Sequence, residues 1–207
     1  MNNLDAYVTY MSLIVLLILL ATGWKKELFG EAASPLWIII SIFTWLLLSV
    51  MQLTLGDIVI ELQLVVPWIW SLVLLKVRWK HTEQLIQLVV ISLLIGCLLL
   101  LYQHVVRLEP KLIFMNLLLD RLILTVVTML VFSRKRYVHF ILLTWGLIAY
   151  EAASYALKAS SEMTIMGGYS YFSIWMPGII LVSAAGAIVE QLRKWTVLLQ
   201  HKFEKRE

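Results

Sequence analysis

Charge is what this sequence has least of. Among 207 residues there are 17 Lys and Arg and 13 Asp and Glu, 14% of the chain, where an ordinary soluble domain carries about a quarter. Hydrophobic residues make up 61%, and the mean hydropathy is +0.88. That balance excludes a soluble globular protein, a disordered chain and a nucleic-acid-binding module. Cysteine is nearly absent too. Cys97 stands alone, so an intramolecular disulfide is excluded, and it reads as a small apolar residue. The four histidines, His81, His104, His139 and His201, do not pair within one span at ligand spacing. Neither a haem nor a zinc centre is expected. The motifs His-Glu-x-x-His, Gly-x-Ser-x-Gly and Gly-x-x-x-x-Gly-Lys are missing. No catalytic residue, metal or cofactor is therefore predicted.

Long apolar runs are what the chain does have. A membrane-spanning helix needs about 20 mostly apolar residues, and a backbone in lipid must satisfy its own hydrogen bonds. The expected fold class is all-α, a polytopic integral membrane bundle. Seven spans are predicted, at roughly 6–23, 35–53, 58–77, 85–104, 112–132, 138–157 and 171–192. Residues 1–192 then form the transmembrane domain and 193–207 a basic cytoplasmic tail. The tail reads either as an amphipathic helix on the inner leaflet or as the end of the last helix. The flank Met1–Asp5 has no Lys or Arg, and nothing like Ala-x-Ala follows the first span. That span is expected to stay as an anchor.

Orientation follows from the basic residues. Thirteen of them fall in alternate connections and the tail: Lys25 and Lys26, then Lys76, Arg78 and Lys80, then Arg134–Arg136, then the five after residue 192. Only three, Arg107, Lys111 and Lys158, fall on the other side. This predicts an outside N-terminus and a cytoplasmic C-terminus. Trp24, Trp79, Trp195 and Trp175 are expected as interfacial anchors. Trp45, Trp68, Trp70 and Trp145 read as packing bulk, with a ligand-facing aromatic box as the sharper alternative.

Charge within a span costs at least ~2.5–3.5 kcal/mol at the helix centre, so intramembrane polar residues form the candidate site. They are Glu61, Asn116, Asp120, Arg121 and Glu151, all expected in the outer half. Arg121 is the lone base, with Glu151 its preferred partner and Glu61 the next. Pro67 is expected to kink span three and free the Gln63 carbonyl. Asp57 reads as an N-cap, and Glu190 as a partner of Lys194. The cluster is either a structural clamp or a substrate, ion or proton site. Alanines at 149, 152, 153 and 156 and the small residues Ser183–Ala187 predict close packing of spans six and seven. Gly167 and Gly168 are expected to give their loop flexibility, and Pro177–Gly178 to bend span seven.

The stretch LEPKLIFMNLLLDRLIL, Leu108–Leu124, resembles part of the YphA-like family of multi-pass membrane proteins from Bacillus relatives. The length, the seven-span layout and the tail VEQLRKWTVLLQHKFEKRE are similar, and Glu151 in AYEAASYAL falls where that family has an acidic residue. The resemblance implies a bacterial cell membrane and no catalytic residues. The expected function is a non-enzymatic accessory or assembly partner in the bacterial envelope. The alternative is a small transporter or channel-like protein with a polar site open to the outside. Expected partners are the lipid bilayer and a membrane protein or a second copy of the chain.

Overall fold

The structure, a computed structural model, describes residues 3–24, 35–56, 58–78, 82–133, 135–157 and 164–204. Among these residues there are seven α-helices: α1 (Asn3–Ala21), α2 (Pro35–Leu48), α3 (Val65–Arg78), α4 (Thr82–Leu108), α5 (Leu117–Phe132), α6 (Arg136–Leu157) and α7 (Tyr169–Glu204). Four of them, α1, α4, α6 and α7, are long and apolar enough to cross a membrane. The other three have 14, 14 and 16 residues, about 21–24 Å at 1.5 Å per residue. A hydrocarbon core is about 30 Å thick.

The fold is mostly helical, as expected, and short strands take up part of the length predicted for spans two and three. Strands β1 (Gln52–Leu55) and β2 (Ile58–Glu61) form an antiparallel hairpin with Leu55 opposite Ile58. A third strand, β3 (Thr164–Met166), pairs in parallel with β2, so the order is β1-β2-β3. The physical cause lies in the residues. Ile58-Val59-Ile60 is β-branched at two ends and centre, which favours a pleated surface. Gly56 takes φ +61° in the two-residue turn, as tight hairpins require. Span three thus begins as a strand, passes through a short 3-10 turn at Leu62–Leu64, and becomes helical at Val65. Pro67 falls in the first turn of α3. No intrahelical N–H is needed there, so it starts the helix instead of kinking it.

The tightest helix contact is between α4 and α6. A Cβ on Gly96 would lie 2.9 Å from Ala149 Cβ and 3.0 Å from the Tyr150 nitrogen, and one on Gly146 would lie 2.9 Å from Ile95 Cγ2. The small residues of span six therefore serve span four. Span seven meets α6 through aromatic rings: Trp175 packs edge-on against Phe140 and Phe172, and its indole N–H donates to Thr144 Oγ1 at 3.0 Å. Trp175 is buried, so it is a core residue and not an interfacial anchor. Gly186, in the small-residue run of α7, has nothing within 4 Å of its Cβ position. The buried centre comprises Ile95, Leu99, Met129, Ile141, Leu143 and Phe172. The α7 backbone stays helical through Pro177 and on to Glu204, so residues 193–204 continue the last helix.

Four chain regions meet at one end of the bundle. Tyr10 of α1 and Tyr169 at the start of α7 share a hydroxyl hydrogen bond of 2.8 Å. The β2–β3 pairing joins the α2–α3 connection to the α6–α7 connection. Asp5 of α1 is within electrostatic reach of Arg121 near the start of α5. These contacts gather the beginning of α1 and the second, fourth and sixth connections together. That end holds the candidate site.

Candidate functional site at the strand-capped end

The expected single cluster is divided into two groups, with Arg121 between helices. The first group forms around Gly167, just after β3. Gly167 adopts φ +74°, and a Cβ there would lie 2.7 Å from Leu64 Cβ. Glycine is thus required by sterics, not for flexibility. Its N–H donates to Glu151 Oε2 at 2.8 Å. Its carbonyl accepts from Gln63 Nε2 at 3.1 Å, across 104 residues of sequence. The same Gln63 amide donates to Glu61 Oε2. One glycine peptide is therefore held by α6 and by the segment after β2 together. Glu61 is buried, and Gln63 is only 1% exposed. Gln63 Oε1 is left without a hydrogen-bond partner. The charge of Glu61 also acts on Glu151, so the two acids sit near enough to repel when both are ionised.

The second group closes the connection between α4 and α5. Asn116 is the N-cap of α5, and its Oδ1 accepts from the Leu118 N–H at 3.3 Å; Asn suits this position for that reason. Asp120 accepts from the Tyr102 hydroxyl at 2.8 Å, the Phe114 N–H at 2.9 Å and the Met115 N–H at 3.3 Å. Its carboxylate ties α4, the loop and α5 at once. Asp120→Ala removes the acceptor of both loop amides, so it is expected to speed amide exchange at Phe114 and Met115 while leaving the α6 interior protected. Hydrogen-exchange mass spectrometry of the two segments checks this.

Arg121 is not brought to any of the three expected acids. Among the described residues it forms no ion pair; its guanidinium lies 5.7 Å from the centre of the Tyr150 ring, and its Nε is buried without a partner. A cation over an aromatic face is attracted by the ring quadrupole. Tyr150 in turn donates its hydroxyl to Gln103 Oε1. The expected Asp57 cap lies outside the described residues, as do the side chains of Glu190 and Lys194.

Sequence reasoning missed Gln63 and Gly167 as site residues. Gln63 carried a signal, an amide two residues from Glu61 in an apolar stretch. Gly167 carried only its glycine identity. Among the tryptophans, Trp70 donates to Ser41 and Trp145 donates to Ser71 Oγ at 2.8 Å. Trp68 is exposed, whereas Trp45 is buried and its indole N–H has no partner. Trp45 and Trp70 line a small apolar cavity of about 60 Å³ with Phe140 and Trp175. Among the described residues no group of three His, Cys, Asp or Glu side chains is placed to hold a metal.

Comparison with known family models, curated proteins and solved structures finds no match to this chain.

Proposed function

We propose that this chain is a multi-pass protein of a bacterial cytoplasmic membrane, with the strand-capped end outside and α7 running into the cytoplasm. It serves there as a non-enzymatic accessory or assembly partner. The supporting observation is how its costly polar groups are used. Asp120, Asn116, Glu151 and Gln63 all bind backbone or neighbouring side chains at one end of the bundle. Groups employed in this way fix helix register and hold the short helices in place. The seven-span reading draws on the same end being shared by alternate connections, and the orientation on the distribution of Lys and Arg. The resemblance of Leu108–Leu124 to the YphA-like family agrees with the same location.

Solubilisation in a mild detergent followed by affinity capture tests this role. One stoichiometric membrane-protein partner is the expected result. Recovery of the chain alone, from membranes in which it is folded and abundant, sinks the assembly reading.

A second reading is favoured by one observation: Gln63 Oε1 is a buried acceptor with no donor, beside two carboxyl groups. A proton or small cation at that point would make the cap a transport site. On that reading Glu151→Gln abolishes substrate or ion flux in proteoliposomes while expression stays normal. On the accessory reading the same variant leaves capture of the partner intact, because an amide oxygen still accepts from Gly167.

A further inference from the structure

Toward the strand-capped end, the last turns of α4 run alongside the end of α6. The two helices touch at Gly96 and Gly146, and beyond that contact a groove of about 710 Å³ opens between them. Its α4 wall carries Cys97, Leu100, Leu101, His104 and Arg107. Positions 97, 100, 101 and 104 recur at helical spacing and share one face. Ser154 and Leu157 of α6 form the opposite wall. From Cys97 to Arg107 the groove extends about 15 Å along the helix.

The groove is graded in polarity. Leu100 and Leu101 form its apolar stretch, and His104 and Arg107 follow toward the α4 C-terminus, where its mouth lies. Among the described residues none of those lining it is acidic, and Glu109, two residues past Arg107, does not line it. Arg107 is exposed and lies in the last turn of α4. Ser154 Oγ, on the wall, is shielded and has no hydrogen-bond partner. Gln103, also on the lining, uses its Oε1 for Tyr150 and keeps its amide hydrogens as donors. The result is a set of donors with a positive charge above an apolar slot.

The geometry points to a binding site for an anionic phospholipid, with the phosphate held by Arg107 and His104 at the mouth and an acyl chain lying along Leu100, Leu101 and Cys97. The volume falls in the range of small-molecule sites, about 300–1,000 Å³. A guanidinium binds phosphate oxygens in a forked, charge-assisted geometry. Basic pockets between membrane helices hold anionic head groups by the same chemistry. The proposal needs the chain to lie in a membrane, but neither the accessory role nor the transport role.

Cys97 supplies the test, because it is the only cysteine in the chain and it is exposed in the groove. The full chain in detergent is labelled with a fluorescent maleimide in the presence of phosphatidylglycerol or of phosphatidylcholine. Phosphatidylglycerol is expected to slow labelling by roughly tenfold relative to phosphatidylcholine, the factor that one charge-assisted contact supplies. The His104→Gln/Arg107→Gln double variant removes that difference; both residues are exposed, and an unchanged thermal midpoint shows that the fold is kept. Leu101→Trp fills the slot while keeping both donors, and is expected to abolish protection as well. Equal labelling rates in the two lipids, or protection that survives the double variant, overturns the proposal. Protection by inorganic phosphate alone, at the same concentration, also overturns it, since that outcome describes a free-anion site.

Discussion

Gly96→Ala is expected to lower the thermal midpoint of the detergent-solubilised protein markedly, although alanine is the better helix former by about 1 kcal/mol. The added methyl would sit 2.9 Å from Ala149 Cβ and 3.0 Å from the Tyr150 nitrogen. Neither neighbour is the free end of a flexible side chain, so α4 and α6 must separate. Overpacking of this kind costs about 1–3 kcal/mol and sometimes more. It would also disturb the apolar contact that Ile95 makes with Gly146 one position away. Gly186→Ala is the matched control. Nothing lies within 4 Å of its Cβ position, so helix propensity acts alone, and the midpoint should stay level or rise. Fluorescence-detected size-exclusion after heating reads both. A Gly96→Ala variant as stable as Gly186→Ala would mean that α4 and α6 are not in the contact described here.

Gln63→Leu is expected to release the strand cap. The amide of Gln63 joins Glu61 to the Gly167 carbonyl, and its site is almost fully buried. Leucine fills the space but donates nothing. A buried carboxyl and a backbone carbonyl are then left unsatisfied, at about 1–3 kcal/mol each. The amides of β3, residues 164–166, should exchange faster, together with the β2 amides that pair with them. Adding Glu61→Leu removes one of the orphaned partners, so the double variant should recover part of the loss. Hydrogen exchange on the single and double variants measures this. Additive losses would show that Gln63 and Glu61 do not act as one unit.

The sites of these two predictions differ in how far the sequence discloses them. Gly96 lies inside a long apolar run, and its glycine identity alone does not say which helix it faces. Alanines 149, 152, 153 and 156 announce a close approach on span six, but the one approach seen there is of Ala149 to Gly96 on span four, not to the expected span seven. Small residues permit contact without naming the surface that arrives. Gln63 and Gly167 are 104 residues apart, and nothing local marks them as partners. The hairpin was more legible. Ile58-Val59-Ile60 and the Gly56 turn are strand and hairpin signals, outweighed in an apolar run by the expectation that lipid-exposed spans are helical. Non-helical backbone is tolerated where protein pairs it, and β3 supplies that pairing for β2.

Asp120 and Arg121 show the same division. Depth and spacing along a helix place both near the membrane midplane, whereas the structure starts α5 at Leu117 and so puts Asp120 in its first turn. Their adjacency correctly separates them in direction, since neighbours on a helix point about 100° apart. Spacing cannot say that the carboxylate folds back onto Phe114 and Met115, or that the guanidinium lies over Tyr150. Those partners come from a loop conformation and from a second helix.

By itself, the sequence determined that the chain is mostly helical, where its four long apolar helices lie, and how its basic residues alternate along the chain. These are local properties, set by hydropathy over a window and by charge between windows. The tertiary structure decided that two of the expected spans begin or end as strand, that α4 is the close neighbour of α6, and that the polar residues divide into two latches around an arginine that forms no ion pair among the described residues. Each of those depends on segments meeting from distant parts of the chain, and periodicity along one segment carries no record of what packs against it.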